Sequence, residues 1–152
     1  MITAWRICKE KRLATAFDGR GAAENPGRWN SAGVAIAYAA ESRSLVSVEV
    51  LVHAEDTSLL DAIRWLAVPV AIEESLVYIP KRLPDDWRAV PAPASTRAFG
   101  DEWVGSATSV VIRVPSVVTP GEFNYLIHPR HADFTRLKIG SPEPFSFDLR
   151  LL

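Results

Sequence analysis

Residues 109–120 read SVVIRVPSVVTP, five valines and an isoleucine among twelve positions, with prolines at 115 and 120. β-Branched side chains at this density are stiff at χ1 and pack best on a pleated surface, so the segment is predicted to be a strand, ending where the prolines cannot donate to a ladder. Other segments supply partners. TAWRICKE (3–10) alternates apolar and polar residues, VAIAYAA (34–40) is an apolar run closed by polar residues, PVAIEESLVYIP (69–80) holds one or two strands, and the closing FSFDLRLL (145–152) alternates again. TSLLDAIRWLAV (57–68), capped by Thr57 or Ser58, and TRAFGDEWVGSA (96–107) are predicted helices. Strands dominate a mixed chain of 152 residues, the size of one domain with one core, so 1–152 is read as a single domain.

One segment resists assignment. SLVSVEVLVH (44–53) has strand propensity and valines at every second position, yet Leu45, Val48 and Val52 also fit one helical face, with Ser42 or Ser44 as the cap. Propensity alone favours a strand. In the middle of it stands a single carboxylate, Glu49, and a carboxylate in apolar surroundings is costly without a partner or a task.

Between the regular segments lie two long connections. AFDGRGAAENPGRWNSAG (16–33) is rich in Gly, Asn and Pro, and loops of that length inside a domain usually carry function. KRLPDDWRAVPAPAS (81–95) is a proline-rich surface connection. Net charge is −1 and the basic residues are scattered, which argues against binding of nucleic acid or anionic membrane. Cys8 is the lone cysteine, so no internal disulfide forms and a reducing compartment fits. The N-terminus lacks the apolar core of a signal peptide, and AIRWLAVPVAI (62–72), interrupted by Arg64 and Pro69, falls well short of the ~20 residues of a spanning helix. A cytoplasmic protein is expected.

Several motifs fail their tests. DGRGAAENPG lacks the third glycine of a dinucleotide fingerprint, and no serine sits in a nucleophile elbow. His128 and His131 in HPRH have ligand-like spacing but no cysteine or carboxylate cluster beside them, so no metal is expected.

What remains is a constellation: AWRI with Arg6, DGRGA, GRWNSAG with Arg28, AIAYAAES with Tyr38, SLVSVEVLVH with Glu49, and RVPSVVTPGEFNYLIHP with Ser116 and Asn124. In this order the elements resemble the RES-domain proteins, the toxins of RES–Xre type II toxin–antitoxin modules; FGDEW and FSFDLRLL add to the likeness. The chain departs from that pattern at Pro26, where a glycine is usual, and at His128-Pro129, where Asn-Pro is usual. The resemblance implies an α+β fold like that of diphtheria-toxin-type ADP-ribosyltransferases, with a split mixed β-sheet flanked by helices. It also implies a helix around Glu49, against the propensity reading. As function it implies NAD consumption, by hydrolysis or phosphorolysis of the nicotinamide–ribose bond or by ADP-ribose transfer to a protein, and an Xre-like helix-turn-helix antitoxin that blocks the site. The non-enzymatic alternative is an inert protein that only binds its antitoxin.

The residue chemistry suits that reaction. Nicotinamide is a cationic leaving group that departs neutral, so one carboxylate suffices where glycoside cleavage needs two. Glu49 is then expected to stabilise the oxocarbenium-like transition state. Arg6 and Arg28 are expected to hold pyrophosphate or ribose through guanidinium forks. Tyr38 offers a face for nicotinamide, and Ser116 and Asn124 complete the NAD-binding set. The cleft rim is expected at Trp29, Trp103 and residues 88–95.

Overall fold

The computed structural model describes all residues, 1–152. Eight strands form one curled, mixed sheet: β1 (Ile2–Lys9), β2 (Ala37–Ala40), β3 (Trp65–Ile72), β4 (Val77–Tyr78), β5 (Val111–Pro115), β6 (Phe123–Ile127), β7 (Lys138–Ile139) and β8 (Glu143–Phe145). Their order is β4-β5-β6-β2-β1-β3-β7, with β8 pairing β3 beside β7. All pairings are antiparallel except β4 with β5. Three helices accompany the sheet: α1 (Arg20–Glu24), α2 (Arg43–His53) and α3 (Ala94–Ser106). None is long and apolar enough to cross a membrane.

The expected α+β fold is thus present, split sheet included. β1 pairs with β3 along its whole length, from Ile2 opposite Ile72 to Lys9 opposite Trp65, but meets β2 only at Trp5 opposite Ala40. Residue parity divides the side chains. One face of the sheet sends Ala4, Cys8, Ala37, Ala39, Val68, Val70, Val111, Tyr125 and Ile127 into the largest core cluster. The other face carries two smaller cores. Ile7, Ala40 and Ala67 receive Leu45 and Val46 of α2, while Ile36, Ile112, Val114 and Leu126 pack with Trp29 and with Trp103 of α3.

Four sequence expectations need correcting. SLVSVEVLVH is helical, as the family resemblance implies and against its strand propensity, because Ser42 Oγ accepts the Leu45 N–H at 3.0 Å and the small Ala40 and Ala67 leave room for Leu45 and Val46. Its inward stripe begins at Leu45 and Val46, and Val52 lies outside, 57% exposed. TSLLDAIRWLAV keeps only a 3-10 turn at Thr57–Ala62, capped by Asp56; from Trp65 the chain is committed to β3 by eight pairings with β1. Pro69 is tolerated there because it falls in the gap between the β8 pairings at residues 65–67 and the β7 pairings at 70–71. FSFDLRLL is strand only up to Phe145, and Asp148 caps a 3-10 turn at Leu149–Leu151. Finally, Trp29 and Trp103 are core residues, 2% and 4% exposed, not rim residues.

Candidate active site

The seam between the two smaller cores holds the polar residues. Glu49 lies one turn beyond Leu45 and Val46, so the stripe that docks α2 also turns its carboxylate toward the sheet. Oε1 accepts two hydrogen bonds, from Ser116 Oγ and Asn124 Nδ2, both at 2.9 Å. Asn124 comes from β6, opposite Ala40, and Ser116 follows Pro115 at the end of β5. The Thr119 N–H in turn donates to Ser116 Oγ at 3.0 Å, which directs the serine proton onto Glu49. Ser116 is 1% exposed and the Glu49 side chain 21%, so the carboxylate is gripped on one oxygen while the other reaches solvent. That second oxygen, Oε2, has only the exposed His53 imidazole at 3.9 Å.

Tyr38 shares this face of β2 with Ala40 and rests partly buried against the Trp29–Trp103 core. Its hydroxyl donates to Asn30 Oδ1 at 2.7 Å and accepts the Trp29 N–H at 3.1 Å. Burial raises the phenol pKa strongly against the opposing effect of that N–H, so the hydroxyl stays protonated at neutral pH. Arg28 is half-buried. One of its amino groups donates to the carbonyls of Trp87 (2.9 Å) and Ala89 (2.6 Å), and no other guanidinium nitrogen bonds within the chain. Burial lowers its pKa, and the nearby Glu49 and Tyr38 act to raise it. Arg28, Tyr38 and Glu49 therefore belong to one electrostatic neighbourhood.

Arg6 stands apart. By parity on β1 it emerges with Ala4 and Cys8 on the opposite face, where burial lowers its pKa. Its Nε donates to the Ala16 carbonyl and one amino group to the Tyr38 carbonyl at 2.9 Å. The guanidinium thus bridges the split where β1 and β2 have stopped pairing. A concavity of about 790 Å³ also opens beside that face, between Phe17, Asp18, Arg20, Val68 and Phe134, and none of the clustered polar residues lines it. His128 packs edge-on against Trp103 at 5.9 Å, and His131 Nε2 lies 2.9 Å from the Ala107 carbonyl, so this pair ties α3 to the end of β6.

Sequence reasoning passed over three residues here. Asn30 is completely buried and satisfied at every position. Asp101 receives both the N–H and the hydroxyl of Ser31, fastening the 27–33 loop to α3. At Gly100 a Cβ would lie 1.6 Å from the Trp29 carbonyl oxygen, so α3 approaches the loop backbone as closely as only glycine permits. The signal for Asn30 stood in the GRWN string and that for Gly100 and Asp101 in FGDEW, but a pattern does not state what a side chain touches.

Comparisons with known proteins identify the family. The family model described as the RES domain matches residues 3–148. A protein named Toxin Res from Yersinia enterocolitica is 39% identical over 148 residues, spanning 97% of both chains. The Prs ADP-ribosylating toxin of Sphingobium is 38% identical over 154 residues, spanning 97% of this chain and 95% of the relative. In three dimensions the chain resembles a chain of the Mycobacterium tuberculosis MbcT–MbcA toxin–antitoxin complex, with a TM-score of 0.76 at 18% identity over 95% of this chain and 84% of the other. A family model that covers residues 3–148 and relatives of 38–39% identity along nearly the whole chain settle the family: the chain belongs to the RES-domain family.

Proposed function

We propose that this protein is the toxin of a toxin–antitoxin pair and that it cleaves the nicotinamide–ribose bond of NAD at the seam beneath α2. The observation that carries the reading is Glu49: one oxygen fixed by Ser116 and Asn124, the other free to face a substrate. A carboxylate held in this way by fixed donors is preorganised to stabilise positive charge, with no reorganisation at the moment of reaction. In the proposed step the C1′–N bond breaks, its electron pair leaves with neutral nicotinamide, and the ribose cation forms against Glu49 Oε2. Water or another nucleophile then adds at C1′ and releases a proton. The Tyr38 ring orients the nicotinamide ribose, and the uncommitted guanidinium nitrogens of Arg28 hold a phosphate or ribose oxygen. Arg6 acts differently from Arg28: it keeps the strand split open and leaves the substrate to the other face.

A second reading, transfer of ADP-ribose to a protein, is favoured by the name of the Sphingobium relative, an ADP-ribosylating toxin. Both readings share the cleavage and differ in the acceptor. The test is nicotinamide release by purified protein with water, phosphate or candidate proteins as acceptor. Release without protein modification supports NAD destruction; labelled protein supports transfer; no release in any arm overturns both and leaves the inert antitoxin-binding protein. An Xre-like helix-turn-helix antitoxin covering the seam fits the likeness to a toxin–antitoxin complex. It also fits a near-neutral chain that needs no nucleic acid contact of its own, working in the cytoplasm. Co-expression checks it: wild-type chain should arrest growth alone and be silenced by the partner.

A further inference from the structure

We propose that Asn30 is the positioning residue of the site: its side-chain oxygen holds the Gly27 amide and the Tyr38 phenol directly, and through that phenol it holds the Trp29 amide, so both backbone amides that flank Arg28 depend on it. The inference rests on the reaction assigned above and adds a residue to it.

A side-chain amide offers two N–H hydrogens and two oxygen lone pairs. Asn30 uses them all. Nδ2 donates to the carbonyls of Ala22 (2.8 Å) and Val34 (3.1 Å), with a longer contact to Ser31 (3.3 Å). Oδ1 accepts from the Gly27 N–H (2.9 Å) and from Tyr38 Oη (2.7 Å). With full burial and no capacity left over, Asn30 has nothing to offer a substrate, so its effect passes through its partners. Tyr38 Oη is filled likewise by Asn30 and the Trp29 N–H, which leaves the tyrosine its ring as the functional part. Arg28 lies between the two amides so fixed, at Gly27 and at Trp29. Its guanidinium is therefore aimed by the same amide that aims the phenol. Aspartate would present oxygens to the Ala22 and Val34 carbonyls and leave a buried charge unpaired, so only asparagine meets both demands. Gly27 belongs to the device as well: a Cβ there would sit 2.8 Å from Tyr38 Oη.

The experiment compares Asn30→Ala, Gly27→Ala, Tyr38→Phe and the Asn30→Ala/Tyr38→Phe double variant. It reads kcat and KM for NAD together with hydrogen exchange at the Gly27 and Trp29 amides. Folded Asn30→Ala should lose at least about tenfold in kcat with little change in KM. Adding Tyr38→Phe should cost nothing more, because the phenol's hold on the Trp29 amide depends on Asn30 and is already lost in Asn30→Ala. Both amides should lose protection in Asn30→Ala, and only Trp29 in Tyr38→Phe. Multiplying losses, or amides that stay protected in Asn30→Ala, overturn the proposal. If Asn30→Ala does not fold, Gly27→Ala decides: it should displace the phenol and lower kcat, and unchanged kcat overturns the clamp. A wild-type chain that cleaves no NAD overturns the assigned reaction instead, and the exchange data still decide whether Asn30 clamps the loop.

Discussion

Replacing Glu49 with glutamine changes the charge of the site and almost nothing else. Ser116 Oγ and Asn124 Nδ2 both donate to Oε1 at 2.9 Å, so the glutamine oxygen must take that position and its NH₂ must take the Oε2 position. The reverse orientation would set NH₂ against the Asn124 NH₂. Ser116 cannot turn its proton away to accept instead, since its oxygen already receives the Thr119 N–H. Both hydrogen bonds survive with a neutral acceptor, which limits the stability change to about 1 kcal/mol. The lost charge is the one facing the developing cation. Removal of one preorganised electrostatic contact typically costs ~10²–10³ in kcat, about 2.7–4 kcal/mol of barrier. The assay is nicotinamide release under saturating NAD, alongside thermal melting of the same preparation. Near-normal turnover by a folded Glu49→Gln protein refutes the reasoning. A fall in turnover that comes with a collapsed melting temperature refutes it too, since the contacts that hold the helix would then have been misread.

Other perturbations separate neighbouring roles. Arg28→Lys should weaken NAD binding and loosen residues 87–89, because one ammonium cannot reach the Trp87 and Ala89 carbonyls and a substrate oxygen with planar geometry; unchanged affinity in a binding titration would exclude a substrate contact. Gly100→Ala should cost about 3 kcal/mol or more, a fall of roughly 6–12 °C in Tm, as the Trp29 carbonyl must yield to the new Cβ. Burial and then the His131 imidazole lower the His128 pKa below 6.5. The unfolded chain therefore binds this proton more readily, and stability should be intact above about pH 6.5 and fall as the pH drops below it. Melting His128→Gln across pH 5–8 should show a shallower acid slope than wild type. His53→Ala should leave turnover unchanged, because the imidazole is 71% exposed and 3.9 Å from Glu49; a tenfold loss would make it part of the site.

How far the sequence foretold this structure depends on the range of the forces that decide each element. β1 and β5 are strands by local pattern, and α2 begins at a serine cap that is visible three residues ahead of Leu45. The carboxylate was conspicuous because its neighbours are apolar, and the GRWN and VPS strings marked the regions that meet it. β3 was not legible. Its residues follow a cap and a leucine pair that favour a helix, and eight distant pairings with β1 outweigh them. Trp29 and Trp103 read as surface aromatics near a functional loop, whereas both rings pack on Ile36, Ile112, Val114 and Leu126 beneath α3. The GRWN string flagged Asn30 as a position but not its task, since its partners lie at Ala22, Gly27, Val34 and Tyr38 and the loop must close before they converge.

The position of the site follows from the sheet's having two small cores on one face. A helix dock is dry along its stripe, and a carboxylate fully inside either core would be desolvated and driven neutral. A carboxylate on open surface would stay charged but find no fixed donors. The seam between the α2 core and the α3 core supplies both conditions. Strand ends deliver Ser116 and Asn124 as donors already locked by the sheet, and the gap leaves Glu49 partly wet. From the other core come Tyr38 and the loop of Arg28, fastened to α3 through Asp101 and the close approach at Gly100. The anionic and cationic halves of the site thus ride on separate packing units. Their spacing is set by β2, which the Arg6 guanidinium holds at its split from β1 through the Tyr38 carbonyl. An arginine on the opposite face can therefore govern the spacing of Glu49, Tyr38 and Arg28 from behind the sheet.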